Sequence, residues 1–311
     1  MMLHVQRIRV THFSDPGCPW AWSAWPALAT LRWRYGDGLD WRLVLIGLTE
    51  RAQQYLDRGA TPLRSARGQL RFRRWGMPFS PVPKRRVAAT SRACRAVVAA
   101  RLEDPALGDA AFRALQLAQF TTPSVLDDDA DLLAALRGVT GLDAAAIVAR
   151  IEDPEVVAAY ESDRALARTA AGGAAEAQGK TARTDGPVRF TAPSLVFERG
   201  GTRLQAGGFQ PVEAYDVLIA NLDPTLPRRP APEAPLAALE ESPLGLTTAE
   251  VAEILRPGNF PADRDAAEIA LLEAVAAGDA VRLPVGDDAL WIAARHARES
   301  EPRFVRAATA V

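Results

Sequence analysis

Only two of the 311 residues are cysteine, Cys18 and Cys94, and only three are histidine. That scarcity excludes a disulfide-stapled fold for a chain this long, and no CxxC…CxxC or clustered Cys/His pattern of a zinc site occurs, so no metal is expected. Charge of one sign is also missing. With 37 basic residues against 38 acidic ones the net charge is −1, and no global field favours nucleic acid or a membrane surface. Long hydrophobic runs are absent too. The start, MMLHVQRIRVTHF, alternates polar and apolar without an apolar region of signal-peptide length, and no stretch of ~18 uncharged apolar residues follows. At 48% hydrophobic and 24% charged the chain reads as an ordinary soluble globular protein. It is expected in the cytosol (a cytoplasmic protein), where thiols are kept reduced.

What is present has a readable order. RIRVTHF alternates as a strand, with Ile8, Val10 and His12 on one side and Thr11 and Phe13 on the other. After a turn over 14–17 a helix is predicted from Cys18 to about Tyr35, kinked or shortened by Pro26 and stopped by the glycines at 36 and 38. LDWRLVLIGL, 39–48, is a second strand, and the unit suits a βαβ crossover. From about 50 to 177, alanine and leucine at helical spacing predict a run of helices punctuated by Asp104-Pro105, Thr122-Pro123 and Asp153-Pro154. Residues 170–187 read as a loop or frayed helix end. PSLVFERGGTRLQAGG is a hairpin about Gly200-Gly201, and Pro211 opens a last helix at the position where proline fits best. Residues 224–235, with five prolines, read as an extended linker. Beyond them, 236–311 holds two helices and the hairpin AVRLPVGDDALWIA, the pattern of a small winged-helix-like domain. The expected division is therefore 1–223, a linker, and 236–311.

The candidate chemistry is concentrated in SDPGCPWAWSAW, residues 14–25. A cysteine at the first turn of a helix faces free backbone N–H groups and the positive end of the helix dipole, and both favour the nucleophilic thiolate. Pro19 pre-sets the turn, and Trp20 and Trp22 are placed to wall the sulfur. DPGCPWAW, LDWRLVLIGLTE and TAPSLVF together resemble the cytosolic DsbA-like family of the thioredoxin fold. That family includes FrnE-type proteins, hydroxychromene-carboxylate isomerases and mycothiol-dependent nitroreductase-like proteins, and the resemblance covers residues 5–223. It implies an α/β thioredoxin-like fold of DsbA type with a large helical insertion at 50–177. It also implies a nucleophilic Cys18, a cis-proline at Pro193, and an Ala192 backbone that pairs with a peptide-like thiol substrate.

The pattern breaks at one position. The second cysteine of a CxxC pair is replaced by Ala21, so Cys18 cannot form the local disulfide of a dithiol oxidase. A single thiol leaves three chemistries: a mixed disulfide with glutathione or mycothiol, resolved by a second thiol; binding of such a thiol for isomerase, reductase or transferase chemistry; or a sulfenic acid cycle with peroxide. The resemblance favours a thiol-disulfide oxidoreductase with glutathione or mycothiol as co-substrate. The alternatives are an isomerase or nitroreductase acting on an aromatic substrate, and a non-enzymatic interaction module with a residual site. Isomerases and kappa-type transferases of this family usually carry serine at the nucleophile position, so retention of Cys18 leans toward covalent chemistry. Cys94 reads as a small core residue; as a remote resolving cysteine it would need a Cα within ~7 Å of that of Cys18. Asp15 reads as a turn aspartate or a proton acceptor, and His12 as a structural residue or a border of the pocket. His4 and His296 are not read as catalytic.

Two charge patterns remain. Twelve basic residues and no acid fall between 58 and 102, while 236–293 holds eleven acids against three bases. The basic run reads as helix faces paired with acids such as 127–129, as a rim capturing an anionic thiol, or as a phosphate-binding patch. An acidic winged helix does not suit DNA. The tail is expected to pack on the first domain, over the basic run, or to mediate dimerisation, with no nucleic acid or membrane partner.

Overall fold

The structure, a computed structural model, describes residues 7–80 and 82–299; His4 and the outer ends of the two expected domains lie outside them. β1 (Ile8–Ser14), α1 (Pro19–Ser23), α2 (Trp25–Tyr35) and β2 (Leu39–Leu45) open the chain. The helical segment holds α3 (Gln53–Leu56), α4 (Pro62–Phe72), α5 (Ser91–Glu103), α6 (Pro105–Thr121), α7 (Asp129–Leu136), α8 (Ala144–Arg150), α9 (Pro154–Ala167) and α10 (Ala174–Ala177). Short strands β3 (Thr181–Ala182) and β4 (Arg189–Phe190) lead to the hairpin β5 (Ser194–Arg199) and β6 (Thr202–Ala206), then α11 (Val212–Leu222).

One sheet, in the order β2-β1-β5-β6, organises this part. β1 runs parallel to β2, with Ile8 opposite Leu39, and antiparallel to β5, with Phe13 opposite Ser194. This is the strand arrangement that the thioredoxin-like resemblance leads one to expect, and it brings the end of β1 beside the start of β5, which are far apart in sequence. Ile8, Val10, Leu28, Leu31, Phe197 and Tyr215 form a core between the sheet and α2 with α11. Leu43, Leu45, Val97, Phe112, Leu115 and Tyr160 form another beneath the helical segment. The helices start where local chemistry lets them. Asp104, Asp128 and Asp143 each accept a backbone N–H at the start of α6, α7 and α8, a cap worth about 1 kcal/mol.

Some boundaries differ from expectation. The helix over 18–35 is two helices that break at Ala24, with Pro26 in the first turn of the second, where its missing N–H costs nothing. Pro211 is the residue before α11 rather than its first. The proline-rich stretch is extended but not free. The Arg229 N–H donates to the Arg34 carbonyl at 2.8 Å, and Trp33 Nε1–H donates to the Pro230 carbonyl at 2.8 Å. Its last proline, Pro235, begins α12 (Pro235–Glu240).

The C-terminal unit continues with β7 (Leu246–Thr247), α13 (Thr248–Leu255), α14 (Arg264–Ala276), β8 (Ala280–Val285), β9 (Asp288–Ala293) and α15 (Ala294–Glu299). Its sheet order is β7-β9-β8, and with α12 to α14 it has the winged-helix order. Thr247 and Glu250 form a reciprocal capping box at α13. Val251, Ala252 and Ile254 of α13 pack on Ala29 and Trp33 of α2, so this unit sits on the back of the first helix pair. Among the described residues no helix is long and apolar enough to cross a membrane.

Candidate thiol site at Cys18

Cys18 is the residue before α1, with extended backbone, φ −88° and ψ 116°. Pro19 supplies the first helical residue. The Cys18 N–H donates to the Asp15 carbonyl at 3.1 Å, and Cys18 Sγ donates to the Ala192 carbonyl at 3.1 Å. The Ala192-Pro193 peptide bond is cis. The sheet therefore brings together the three residues that sequence reasoning placed 174 positions apart, Cys18 on one side and Ala192 and Pro193 on the other.

The helix position alone suggests an ionised sulfur, and burial opposes it. Cys18 is 6% exposed, among Phe13, Ala21, Phe190 and Ala192. Burial pushes its pKa up to about 12; hydrogen bonding from the Ala21 N–H pulls the other way, and the charge of Asp15 adds to the rise. The expected thiolate is thus corrected to a neutral thiol: a five-residue helix offers too little field to offset the loss of water.

Asp15 organises the loop. Its carboxylate accepts from the N–H groups of Gly17 and Leu48, both at 2.8 Å, from Thr90 Oγ1 at 3.0 Å and from Cys94 Sγ at 3.6 Å. Its burial pushes the carboxyl above its ordinary range against the pull of those donors. Gly17 is required by space: a Cβ there would lie 2.5 Å from Thr90 Cγ2. Cys94 is fully buried on α5 and turned to Asp15, while Cys18 is turned to Ala192; both thiols are free.

Two expected site residues lie elsewhere. Trp22 does not wall the mouth. It is completely buried, stacks on Phe120 and donates Nε1–H to the Pro78 carbonyl at 2.9 Å, because two residues along a helix turn a side chain to the far side. His12 is buried on β1 with an edge-on contact to Phe112, and it does not border the Cys18 mouth. Burial lowers its pKa to about 3. Trp20 does lie at the surface, 39% exposed. Its ring meets Phe72, Trp75 and Phe209 with centroids 4.9, 6.1 and 5.6 Å away. Sequence reasoning missed these three aromatics, and the only signal was the place of Phe72 and Trp75 inside the basic run.

Half of that run is in ion pairs. Arg85 meets Asp128 and Asp131, Arg86 meets Asp127, Arg92 and Arg95 meet Glu152, and Arg101 meets Asp163. The acidic tail covers little of it; Arg73 with Asp287 is its one ion pair to the run among the described residues. Arg67 and Arg71 on α4 have no ion pair among those residues. A cavity of about 360 Å³ lies beside the loop, lined by Gly17, Pro19, Phe72, Lys84 and Arg86. Two others, of about 480 and 570 Å³, open between α6 and the C-terminal unit, and Cys18 lines neither, so volume does not mark the chemistry. Among the described residues no cluster of three or more His, Cys, Asp or Glu is placed to hold a metal.

With this geometry in view, comparison is informative. The model of the DSBA-like thioredoxin domain matches residues 9–171. No curated protein matches the sequence. Among solved structures, SCO1869 of Streptomyces coelicolor, provisionally named a DsbA oxidoreductase, is 21% identical with a TM-score of 0.52, covering 70% of this chain and 91% of its own. A Nitrosomonas europaea protein provisionally named a protein disulfide isomerase is 20% identical with a TM-score of 0.50, over 70% and 97%. The cytosolic disulfide reductase DsbM of Pseudomonas aeruginosa is 23% identical with a TM-score of 0.48, over 69% and 98%. At such identities the likeness is one of fold.

Proposed function

We propose that this chain, which belongs to the DSBA-like thioredoxin domain family, is a thiol-dependent oxidoreductase that works through the single cysteine Cys18 in the cytosol. The observation that carries the reading is the Cys18 sulfur at the start of α1, 3.1 Å from the Ala192 carbonyl. An incoming disulfide is attacked by the Cys18 sulfur, a new S–S bond to Cys18 forms, the old one breaks, and the departing thiolate takes up the proton that Cys18 gives up. With Ala21 in place of a resolving cysteine, a second thiol molecule must then attack the mixed disulfide and release Cys18. Glutathione and mycothiol are the thiols the reading calls for. Arg74 lies over Trp75, and Arg67 and Arg71, which have no ion pair among the described residues, add positive charge on α4 that favours the approach of an anionic thiol. The acidic C-terminal unit supports no role in binding nucleic acid.

One observation favours a second reading. A neutral Cys18 is a hydrogen-bond donor, suited to holding the sulfur of a bound thiol cofactor while an aromatic substrate reacts beside it, as an isomerase or nitroreductase requires. Cys18→Ser separates the two. The test is turnover of a small disulfide with glutathione or mycothiol, together with mass spectrometry of the oxidised protein. Covalent exchange gives a thiol adduct on Cys18 and no turnover in the serine variant. An absent adduct with no turnover in the wild type sinks the exchange reading. Serine-tolerant activity on an aromatic substrate establishes the second.

A further inference from the structure

The aromatic group beside Cys18 is assembled from three segments. Trp20 comes from α1, Phe72 and Trp75 from the end of α4 and the turn after it, and Phe209 from the turn after β6. Trp75 and Phe209 lie 4.7 Å apart between centroids. Trp20 follows Cys18 by two residues, and Phe209 follows Gly208, whose N–H donates to Ser194 Oγ at 3.1 Å next to Pro193, so the group flanks the approach to a cysteine that is itself only 6% exposed. α4 has little hold of its own on the molecule, with Ala66 its one buried residue. Its exposed face and the turn that follows must be fixed by something else.

The hold comes from the tip of the β8–β9 hairpin. Asp287 accepts the Phe79 N–H at 2.7 Å and pairs with Arg73 at 2.5 Å, so one carboxylate ties both ends of the segment that carries Trp75. Gly286 makes the approach possible. Its φ is +56°, and a Cβ there would lie 2.9 Å from the backbone of Phe79. Thr247 donates its hydroxyl to Met77 Sδ at 3.3 Å, and a Cβ on Gly76 would lie 3.1 Å from that of Ala249. Met77 and Phe79 are buried with Val285, Leu290 and Ile292 of the hairpin. From the other side, Trp22 Nε1–H holds the Pro78 carbonyl. Residues 73–80 are therefore gripped between α1, which follows the reactive cysteine, and the C-terminal unit.

We propose that the hairpin tip of the C-terminal unit latches the aromatic rim beside Cys18, with Asp287 as the positioning residue, and thereby sets how bulky a disulfide or thiol reaches the sulfur. The significance of the latch for catalysis rests on the reading of Cys18 as the reacting group. Without Asp287 the Phe79 N–H, in a buried residue, loses its acceptor, Arg73 loses its partner, and local opening of 73–80 becomes more frequent. A flank that opens locally admits a bulky reagent more than a small one.

The test follows modification of Cys18 by peptide mass spectrometry with two reagents. Iodoacetamide is small. Dithiobis-nitrobenzoate is a bulky aromatic disulfide, which Cys18 attacks to form a mixed disulfide with release of thionitrobenzoate. Asp287→Ala is expected to raise the rate with the aromatic disulfide, relative to iodoacetamide, about fivefold through local opening. Asp287→Asn keeps an acceptor for the Phe79 N–H and is expected to restore most of the wild-type ratio. Arg264→Ala, which breaks the neighbouring pair with Asp288, is expected to leave it unchanged. An unchanged ratio in Asp287→Ala overturns the latch. So does equal acceleration of both reagents, which marks general loosening, or the same rise in Arg264→Ala. Both reagents report access without turnover, so failure of glutathione chemistry would remove the proposed function and leave this comparison intact.

Discussion

At Cys18 a helix start and a dry pocket compete for the same proton, and the pocket wins. Donors at a helix N-terminus are worth about 1 kcal/mol to an anion, whereas burial of a thiolate among apolar groups shifts its titration by several times that. With its pKa near 12, Cys18 is expected to react with iodoacetamide at a rate that rises about tenfold per pH unit between about pH 7 and about pH 10.5, since only thiolate reacts. A plateau reached below about pH 9 would mean that the thiolate is held after all. The same desolvation acts on His12 with the opposite consequence for its proton. Burial lowers its pKa from 6.5 to about 3, and Nε2 has no hydrogen-bond partner among the described residues. As pH falls through 6.5 the unfolded chain takes up a proton that the folded chain refuses until about 3. Stability is therefore full above pH 6.5 and drains on acidification by about 1.4 kcal/mol per pH unit. His12→Leu should flatten that part of the acid slope in urea unfolding; identical slopes in the two proteins would show that His12 does not carry it.

Elements were legible where one stretch of chain decides them. Alternation in RIRVTHF marks β1, and Thr247 three residues before Glu250 marks the cap of α13. Pro26 foretells the break between α1 and α2. Short elements escaped: α12 begins at a proline read as linker, and β7 is two residues long. Pairing across the chain was legible only through resemblance. Nothing in the spacing of Cys18 and Ala192 brings them together; the parallel and antiparallel neighbours of β1 do. The rim was legible only at Trp20, because Trp20, Phe72, Trp75 and Phe209 share no period. Trp20 and Trp22 were read as a pair, yet two steps on a helix separate their faces, and that much was available from helical geometry. The charge on Cys18 was misread for a related reason: a local motif supplies the dipole, whereas the surroundings that remove water come from β4, the end of α9 and the segment before Pro193.

Across the whole molecule, the seam between the thioredoxin-like part and the C-terminal unit is unevenly filled. Cavities of about 480 and 570 Å³ open along it, beside the apolar packing of α13 on α2, and polar contacts cross it at several places. One is the hairpin tip; another is a buried ion pair. Arg113 of α6 donates to Glu250 of α13 at 2.5 Å, with side-chain exposures of 4% and 1%. The guanidinium lies 4.4 Å from the ring centroid of Trp25 and 5.1 Å from that of Trp22. Glu250 also accepts the Thr247 N–H at 2.7 Å, so one carboxylate both caps α13 and joins it to α6. Glu250→Gln keeps an acceptor for the cap but leaves the Arg113 charge alone in the seam, and stranding one partner of a buried pair costs about 3–5 kcal/mol. Arg113→Met strands Glu250 by the same reasoning. The double variant strands neither charge and is expected to be more stable than either single one in urea unfolding, because what the singles lose is the isolation of a buried charge rather than the worth of a bond. If the two losses simply add, the pair is not coupled, and isolation of a buried charge is not what the single variants lose.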